Sequence, residues 1–263
     1  MEIKTYKQHY LKCLENYNSN TKHNLYDVSI QNNCVDIDKS LLNIIAKDVK
    51  QHLNLDHDTI DSKWATYVND FNNISGLDNF CSNVIEQLEQ KYFNSYVKIE
   101  NLHILKNKKF VPLESSWVWH YDDCPKEFLK FAVYLNDVTE DNGPMQIVLD
   151  NTGKAPVIES FRDHPGAIKG VPTPVFPKSR VPQSHVDSII QNGGLVQSLT
   201  GKAGTNFLFT PNIIHRGTVP KPNSDPRLAI FMFIRPSINK ISKLVSLAKP
   251  KKANVNVKKY DLN

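Results

Sequence analysis

The chain lacks an apolar run long enough to cross a bilayer. Its longest, residues 228–234, falls far short of the roughly 20 residues that a spanning helix needs. The opening residues, Met-Glu-Ile-Lys-Thr-Tyr-Lys, contain no apolar stretch of the secretory type. Four cysteines (Cys13, Cys34, Cys81 and Cys124) stand far apart and form no CxxC pair, so reduced thiols in a cytoplasmic protein are the expectation. Neither an internal repeat nor a glycine-rich phosphate loop is present. Basic charge is also scarce where it would matter for nucleic acid. The formal +5 arises in residues 239–263, which carry net +6 and leave the remaining body at −1. That tail is expected to be solvated, with contact to nucleic acid or an anionic surface the less favoured role.

Against these absences stand two fragments 95 residues apart, Trp117-Val118-Trp119-His120-Tyr121-Asp122 and Pro211-Asn212-Ile213-Ile214-His215-Arg216-Gly217. Residues 116–122 are rich in aromatic and β-branched types, which predicts a strand. On a strand, alternate side chains share a face, so His120 and Asp122 would converge on one ion while Asp123 points away. The pair needs a third ligand, and His215 is the candidate, after the strand-like run 205–210 and its Gly201–Gly204 turn. Arg227 heads a further apolar strand, and Pro220, Pro222 and Pro226 mark the loop between. His215 and Arg227 are therefore expected on adjacent antiparallel strands. A guanidinium heading so apolar a strand needs an anion, and it grips a carboxylate through paired hydrogen bonds. Two histidines and a carboxylate on one face of a metal leave the other face open, as in non-heme Fe(II) oxygenases. Taken singly, a His-x-Asp pair is common by chance, His215 reads as a structural histidine and Arg227 as a salt-bridge partner; their order and context together carry the signal.

These blocks resemble the phytanoyl-CoA dioxygenase-like branch of the Fe(II)/2-oxoglutarate oxygenases. The similarity covers roughly residues 95–236, with Val133-Tyr134-Leu135-Asn136-Asp137 through Asn142-Gly143-Pro144 as a further specific stretch. The resemblance implies a mainly β fold, a double-stranded β-helix (a jelly-roll, cupin-like barrel) buttressed by α-helices. It implies Fe(II) held by His120, Asp122 and His215, with 2-oxoglutarate and O2 as co-substrates. It places the distal carboxylate of 2-oxoglutarate on Arg227, with Tyr134 resembling a tyrosine that helps in the prolyl-hydroxylase branch; a core tyrosine is the equal alternative. Halogenases on this fold replace the carboxylate ligand with a small residue, whereas Asp122 is retained here, which favours hydroxylation. The stretch Asp123-Cys124-Pro125-Lys126-Glu127-Phe128 is shorter than the substrate-facing insert of some relatives and speaks against a phytanoyl-CoA-like substrate. Cys124, two residues past Asp122, lies where an escaping oxidant would reach it.

The expected organisation is one oxygenase domain over residues 1–238. Residues 1–93 are expected to be mainly helical. One helix is capped by Asp38 and carries Leu41, Leu42, Ile44, Ile45, Val49 and Leu53; another covers 79–93. Strands are expected near 95–105, 115–122, 130–137 and 145–149, with Asn142-Gly143 in a turn. Helical spacing extends over 238–248 before the basic tail. Residues 151–195 interrupt the barrel pattern and hold six of the fifteen prolines. They are expected either to form a lid, in which Arg162, Lys178 and Arg180 draw in an anionic substrate, or to be a surface loop; His164 and His185 are read as surface residues. Three functional readings stay open: an oxygenase acting on a small molecule, one acting on a protein or nucleic acid with the tail as recruiting arm, and a metal- or ligand-binding barrel without redox turnover.

Overall fold

A strand buried on both faces reads as a nearly continuous apolar run, and residues 228–234, and 129–134 apart from Lys130, are of that kind. The computed structural model, which describes residues 5–17, 25–55, 59–110, 114–158 and 175–242, shows why. Among the described residues ten strands make two antiparallel sheets: β1 (Ile30–Asn32), β2 (Thr59–Asp61), β3 (Ala65–Val68), β4 (Tyr96–Asn107), β5 (Leu129–Tyr134), β6 (Met145–Leu149), β7 (Leu195–Leu199), β8 (Asn206–Phe209), β9 (His215–Gly217) and β10 (Leu228–Ser237). The large sheet runs β1-β8-β5-β10-β4-β3-β2 and the small one β7-β6-β9.

The two faces of the large sheet bury different things. Leu129, Phe131 and Val133 of β5, with Ile230, Met232 and Ile234 of β10, lie in the core shared with the helices. Those helices are α1 (Tyr6–Tyr17), α2 (Lys39–His52) and α3 (Leu77–Leu88). The alternate residues, Ala132 and Tyr134 of β5 with Ala229 and Phe231 of β10, turn inward to meet Met145, Ile147 and Leu199 of the small sheet. This is a double-stranded β-helix with its helical layer on the outside of the larger sheet, as burial of both apolar faces requires. A fourth helix, α4 (Gln183–Gln191), packs beside β6 and β7, placing Val186 in a third core cluster with Trp119, Tyr121, Val148 and Ile214.

Several sequence expectations hold in detail. Asp38 caps α2, its Oδ1 accepting from the backbone N–H of Ser40 at 2.8 Å and of Leu41 at 3.2 Å. Leu42, Ile45 and Val49 are buried, but Ile44 is 49% exposed because it falls on the outer side of the helix. α3 buries Phe80, Val84, Ile85 and Leu88 and continues as a π-turn over Glu89–Phe93. Gly143 has φ +78, which the turn before β6 requires, and a Cβ there would strike the carbonyl of Thr218. All four cysteines are free and buried.

Other expectations are corrected. Residues 30–68 contribute three short strands as well as helix. Residues 115–122 are no regular strand: Ser115–Trp117 form a 3-10 turn, and His120 makes isolated bridges to His215 and Arg180. His215 and Arg227 are not on adjacent strands. β9 pairs with β6 in the small sheet, whereas β10 lies between β5 and β4 in the large one, so the two residues face each other across the barrel. Arg162, His164 and residues 243–263 lie outside the described residues, so the basic tail and most of the 238–248 helix do too. Ile238 and Ile241 do pack against the helical core. Among the described residues no helix is long and apolar enough to cross a membrane.

Candidate metal centre

Although residues 118–122 lack a full ladder, they are clamped on both sides. The His120 N–H donates to the His215 carbonyl at 3.0 Å and the His215 N–H returns the bond at 2.9 Å. On the other side the Tyr121 N–H donates to Ser179 and the Val181 N–H to Trp119. The Asp122 N–H donates to the Pro211 carbonyl at 3.0 Å. Asn212, wholly buried, fastens the two fragments by accepting from the Cys124 N–H at 2.9 Å and donating to the Cys124 carbonyl at 2.7 Å. Extended backbone thereby survives over 119–122. Trp119 and Tyr121 enter the outer core, while His120 and Asp122 point into the barrel. The alternation ends at the 3-10 turn, so Trp117 lines the cavity instead of joining Trp119.

His120, Asp122 and His215 meet with one ligand atom each, all within 4.8 Å of one another. Each imidazole is aimed by its own backbone: His120 Nδ1 donates to the Val118 carbonyl and His215 Nδ1 to the Ile213 carbonyl, both at 2.9 Å. A carbonyl can only accept, so Nδ1 carries the proton and Nε2 faces the site as a lone pair. His215 Nε2 is buried with no hydrogen-bond partner, a state that a cation would relieve. Burial, and then the neighbouring His215, hold the His120 pKa well below the usual imidazole range. Burial likewise brings His215 down to about 4, against the pull of Asp122. Burial alone would raise Asp122, but Lys130 and the two histidines outweigh it and keep the carboxyl below its usual range. Two neutral bases and one carboxylate suit a divalent ion of the nitrogen-and-oxygen-binding kind.

A cavity of about 220 Å³ reaches from this triad to Arg227, walled by Trp64, Tyr67, Trp117 and Phe231. Arg227 is 5% exposed. Its Nη2 donates to Asn107 Oδ1 at 3.2 Å, while Nε and Nη1 have no partner. Burial lowers its pKa, and the Tyr134 hydroxyl beside it opposes that shift. Tyr134 itself is buried, donates to the Leu199 carbonyl at 2.6 Å and does not line the cavity. Arg180 bridges His120 through its backbone and lies near Asp122; its guanidinium forms no hydrogen bond or ion pair with another described residue. Lys178 is exposed on the turn just before it. Sequence reasoning missed Lys130, whose Nζ donates to Asp122 Oδ2 at 2.7 Å, and Asn107 beside Arg227. The available signal for Lys130 was a lone charge in an otherwise apolar strand, in register with the inward Ala132 and Tyr134.

No family model matches the chain. Over 111 residues it is 28% identical to an L-proline trans-4-hydroxylase of Streptomyces griseoviridis, a match covering 37% of each chain. The chain thus matches well under half the length of that relative. Three solved structures superpose over most of their length. EctD from S. alaskensis, solved with 2-oxoglutarate and 5-hydroxyectoine, gives a TM-score of 0.54 at 16% identity, covering 85% of this chain and 84% of that one. AviO1 from Streptomyces viridochromogenes Tue57 gives 0.52 at 10% identity over 92% and 99%. SnoN, a non-heme α-ketoglutarate-dependent epimerase of nogalamycin biosynthesis, gives 0.51 at 14% over 97% and 92%. The chain shares the fold of these three proteins. The double-stranded β-helix expected from the resemblance is therefore the fold of this chain, and it brings His120, Asp122, His215 and Arg227 to one cavity.

Proposed function

We propose that the protein is an Fe(II)- and 2-oxoglutarate-dependent dioxygenase that hydroxylates an unactivated C–H bond of a small, anionic substrate. The observation that carries this reading is one cavity joining a two-histidine, one-carboxylate cluster to a buried guanidinium with two unpartnered nitrogens. An isolated metal site would need no such cation. A dicarboxylate chelating the ion at one end needs one at the other.

In this reading His120, Asp122 and His215 hold the iron, whose chemistry with O2 and 2-oxoglutarate converts C–H to C–OH and releases succinate and CO2. The protein's own work is orientation. Arg227 takes the far carboxylate of 2-oxoglutarate on Nε and Nη1, while Asn107 fixes the guanidinium through Nη2. Tyr134 supports Arg227 from behind and keeps its hydroxyl on Leu199, which makes it a positioning residue for the carboxylate site. Trp117 and Phe231 exclude water along the cavity. Arg180, at the edge of the metal cluster and uncommitted among the described residues, receives an anionic group of the substrate, with Lys178 on the preceding turn adding positive charge and Arg162 retained as a substrate-binding candidate from the sequence. The named activity of the proline hydroxylase supports a substrate of amino-acid size.

Succinate release by iron-loaded protein tests the reading against a panel of small carboxylates that includes L-proline. Substrate-dependent succinate, absent in His215→Ala, supports it. An iron-loaded, folded protein that makes no succinate with or without any of them favours a binding barrel without redox turnover.

A further inference from the structure

Lys130 is the one charge on a strand otherwise apolar on both faces, and it points inward. Its side chain is 11% exposed. Its ammonium lies 4.5 Å from the centroid of the Phe233 ring, 5.8 Å from Phe209 and 5.9 Å from Phe231. Three aromatic faces favour the cation at the wall of the cavity. Among the described residues its ion pair is with Asp122 alone, through Oδ2 at 2.7 Å. Of the two carboxylate oxygens, Oδ1 lies 3.8 Å from His120 Nε2, and Oδ2, already held by Lys130, lies 3.5 Å from His215 Nε2. A lysine placed only to neutralise charge would snorkel to the surface. This one is held in place by the register of β5, opposite Phe209 on β8 and Phe233 on β10.

We infer that Lys130 is a positioning residue that reserves Asp122 Oδ2, so that Asp122 offers a bound ion Oδ1 alone. The inference rests on the metal reading above. Its consequence is coordination arithmetic. An octahedral ion held by two imidazoles and one carboxylate oxygen keeps enough open positions for a chelating co-substrate and for a further small molecule. A carboxylate binding through both oxygens would take the last of those positions. The ammonium also withdraws charge from the ligand, so the site holds its ion less tightly than the same three ligands would alone.

Co(II) alone, added to the full chain without co-substrate, reads this directly through its visible spectrum. The wild type is compared with Lys130→Met, which keeps the length and loses the charge, and Lys130→Arg, which keeps a donor. Lys130→Met is expected to bind Co(II) more tightly, by about tenfold or more, the scale on which outer partners move metal affinity. Its spectrum should differ in shape, and Lys130→Arg should restore the wild-type one. The unmutated protein gives an independent measurement if Lys130→Met does not fold. The infrared difference spectrum on adding Co(II) should show the wide carboxylate splitting of one-oxygen coordination. A folded Lys130→Met with the wild-type Co(II) spectrum, or a narrow splitting in the wild type, overturns the role of Lys130 and leaves the metal reading standing. Failure of the wild type to bind Co(II) at all overturns both.

Discussion

His120 and His215 exchange both of their backbone hydrogen bonds, at 3.0 and 2.9 Å, and their imidazole centroids lie 4.2 Å apart. Two residues remote in sequence are thus an antiparallel pair, and the metal cluster is built into the backbone of the small sheet. The ligands are organised by the chain before any ion arrives. His215→Ala and His120→Ala should therefore each abolish tight binding of a divalent ion while far-UV circular dichroism stays unchanged. Loss of the β signal in either variant would show that the side chain, and not the backbone pair, holds the fragments together.

Arg227 is the second fixed point of the cavity. Arg227→Ala should weaken 2-oxoglutarate binding by about 2–5 kcal/mol, the cost of truncating one partner of a buried charge pair. Calorimetric titration of metal-loaded protein measures it, and metal affinity should not follow. Equal loss of metal and co-substrate binding would place Arg227 in the structure of the cluster instead.

Gly217 lies directly under the Trp117 ring, and an added Cβ would overlap that ring's Cζ3 and Cε3. Gly217→Ala should cost about 1–3 kcal/mol by overpacking and shift Trp117. Since Trp117 lines the cavity, 2-oxoglutarate binding should weaken along with stability. A variant of unchanged thermal midpoint and unchanged fluorescence would show that the ring moves aside freely.

We propose that Arg180, with Lys178 and Arg162, serves the substrate and not 2-oxoglutarate. Replacing each by alanine should raise KM for the prime substrate, most for Arg180, and leave KM for 2-oxoglutarate in place. Unchanged values in all three would remove the anionic-substrate element of the account.

Glu89 gives the fold a pH dependence remote from the cavity. Burial pushes its carboxyl up to about 7, against the Val97 N–H that donates to it at 2.9 Å and the charge of Lys240. A carboxyl whose folded pKa is raised binds a proton on folding. Its contribution is complete below the unfolded value of about 4.3 and is lost as pH rises through 7. The thermal midpoint should therefore fall across that window, and Glu89→Gln should flatten the fall. A parallel fall in the variant would assign the effect to other groups.

What the sequence made legible is what local chemistry encodes. The Asp38 cap sits immediately before an amphipathic run. The inward pairing of His120 with Asp122 follows from a spacing of two, and it survives in a stretch that is extended without being a full strand. Three-residue strands such as Ile30–Asn32 carry too little periodicity to be seen, and they exist because the edge of β8 is there to pair with. The placement of His215 against Arg227 was misread for a related reason. The proline-bearing loop between them crosses from one sheet to the other, and a crossing is a property of the barrel, not of the loop's composition. Lys130 was overlooked because its meaning depends on Asp122, which only the β5–β8–β10 register brings within reach.

The central claim is that the three ligands and Arg227 form one site for Fe(II) chelated by 2-oxoglutarate. An anaerobic absorbance titration tests it, with Fe(II) added first and 2-oxoglutarate second, beside His215→Ala and Arg227→Ala. The account predicts a weak visible charge-transfer band that needs both additions, is absent in His215→Ala, and appears at higher 2-oxoglutarate concentration in Arg227→Ala. Absence of that band in folded, iron-loaded wild-type protein would contradict it.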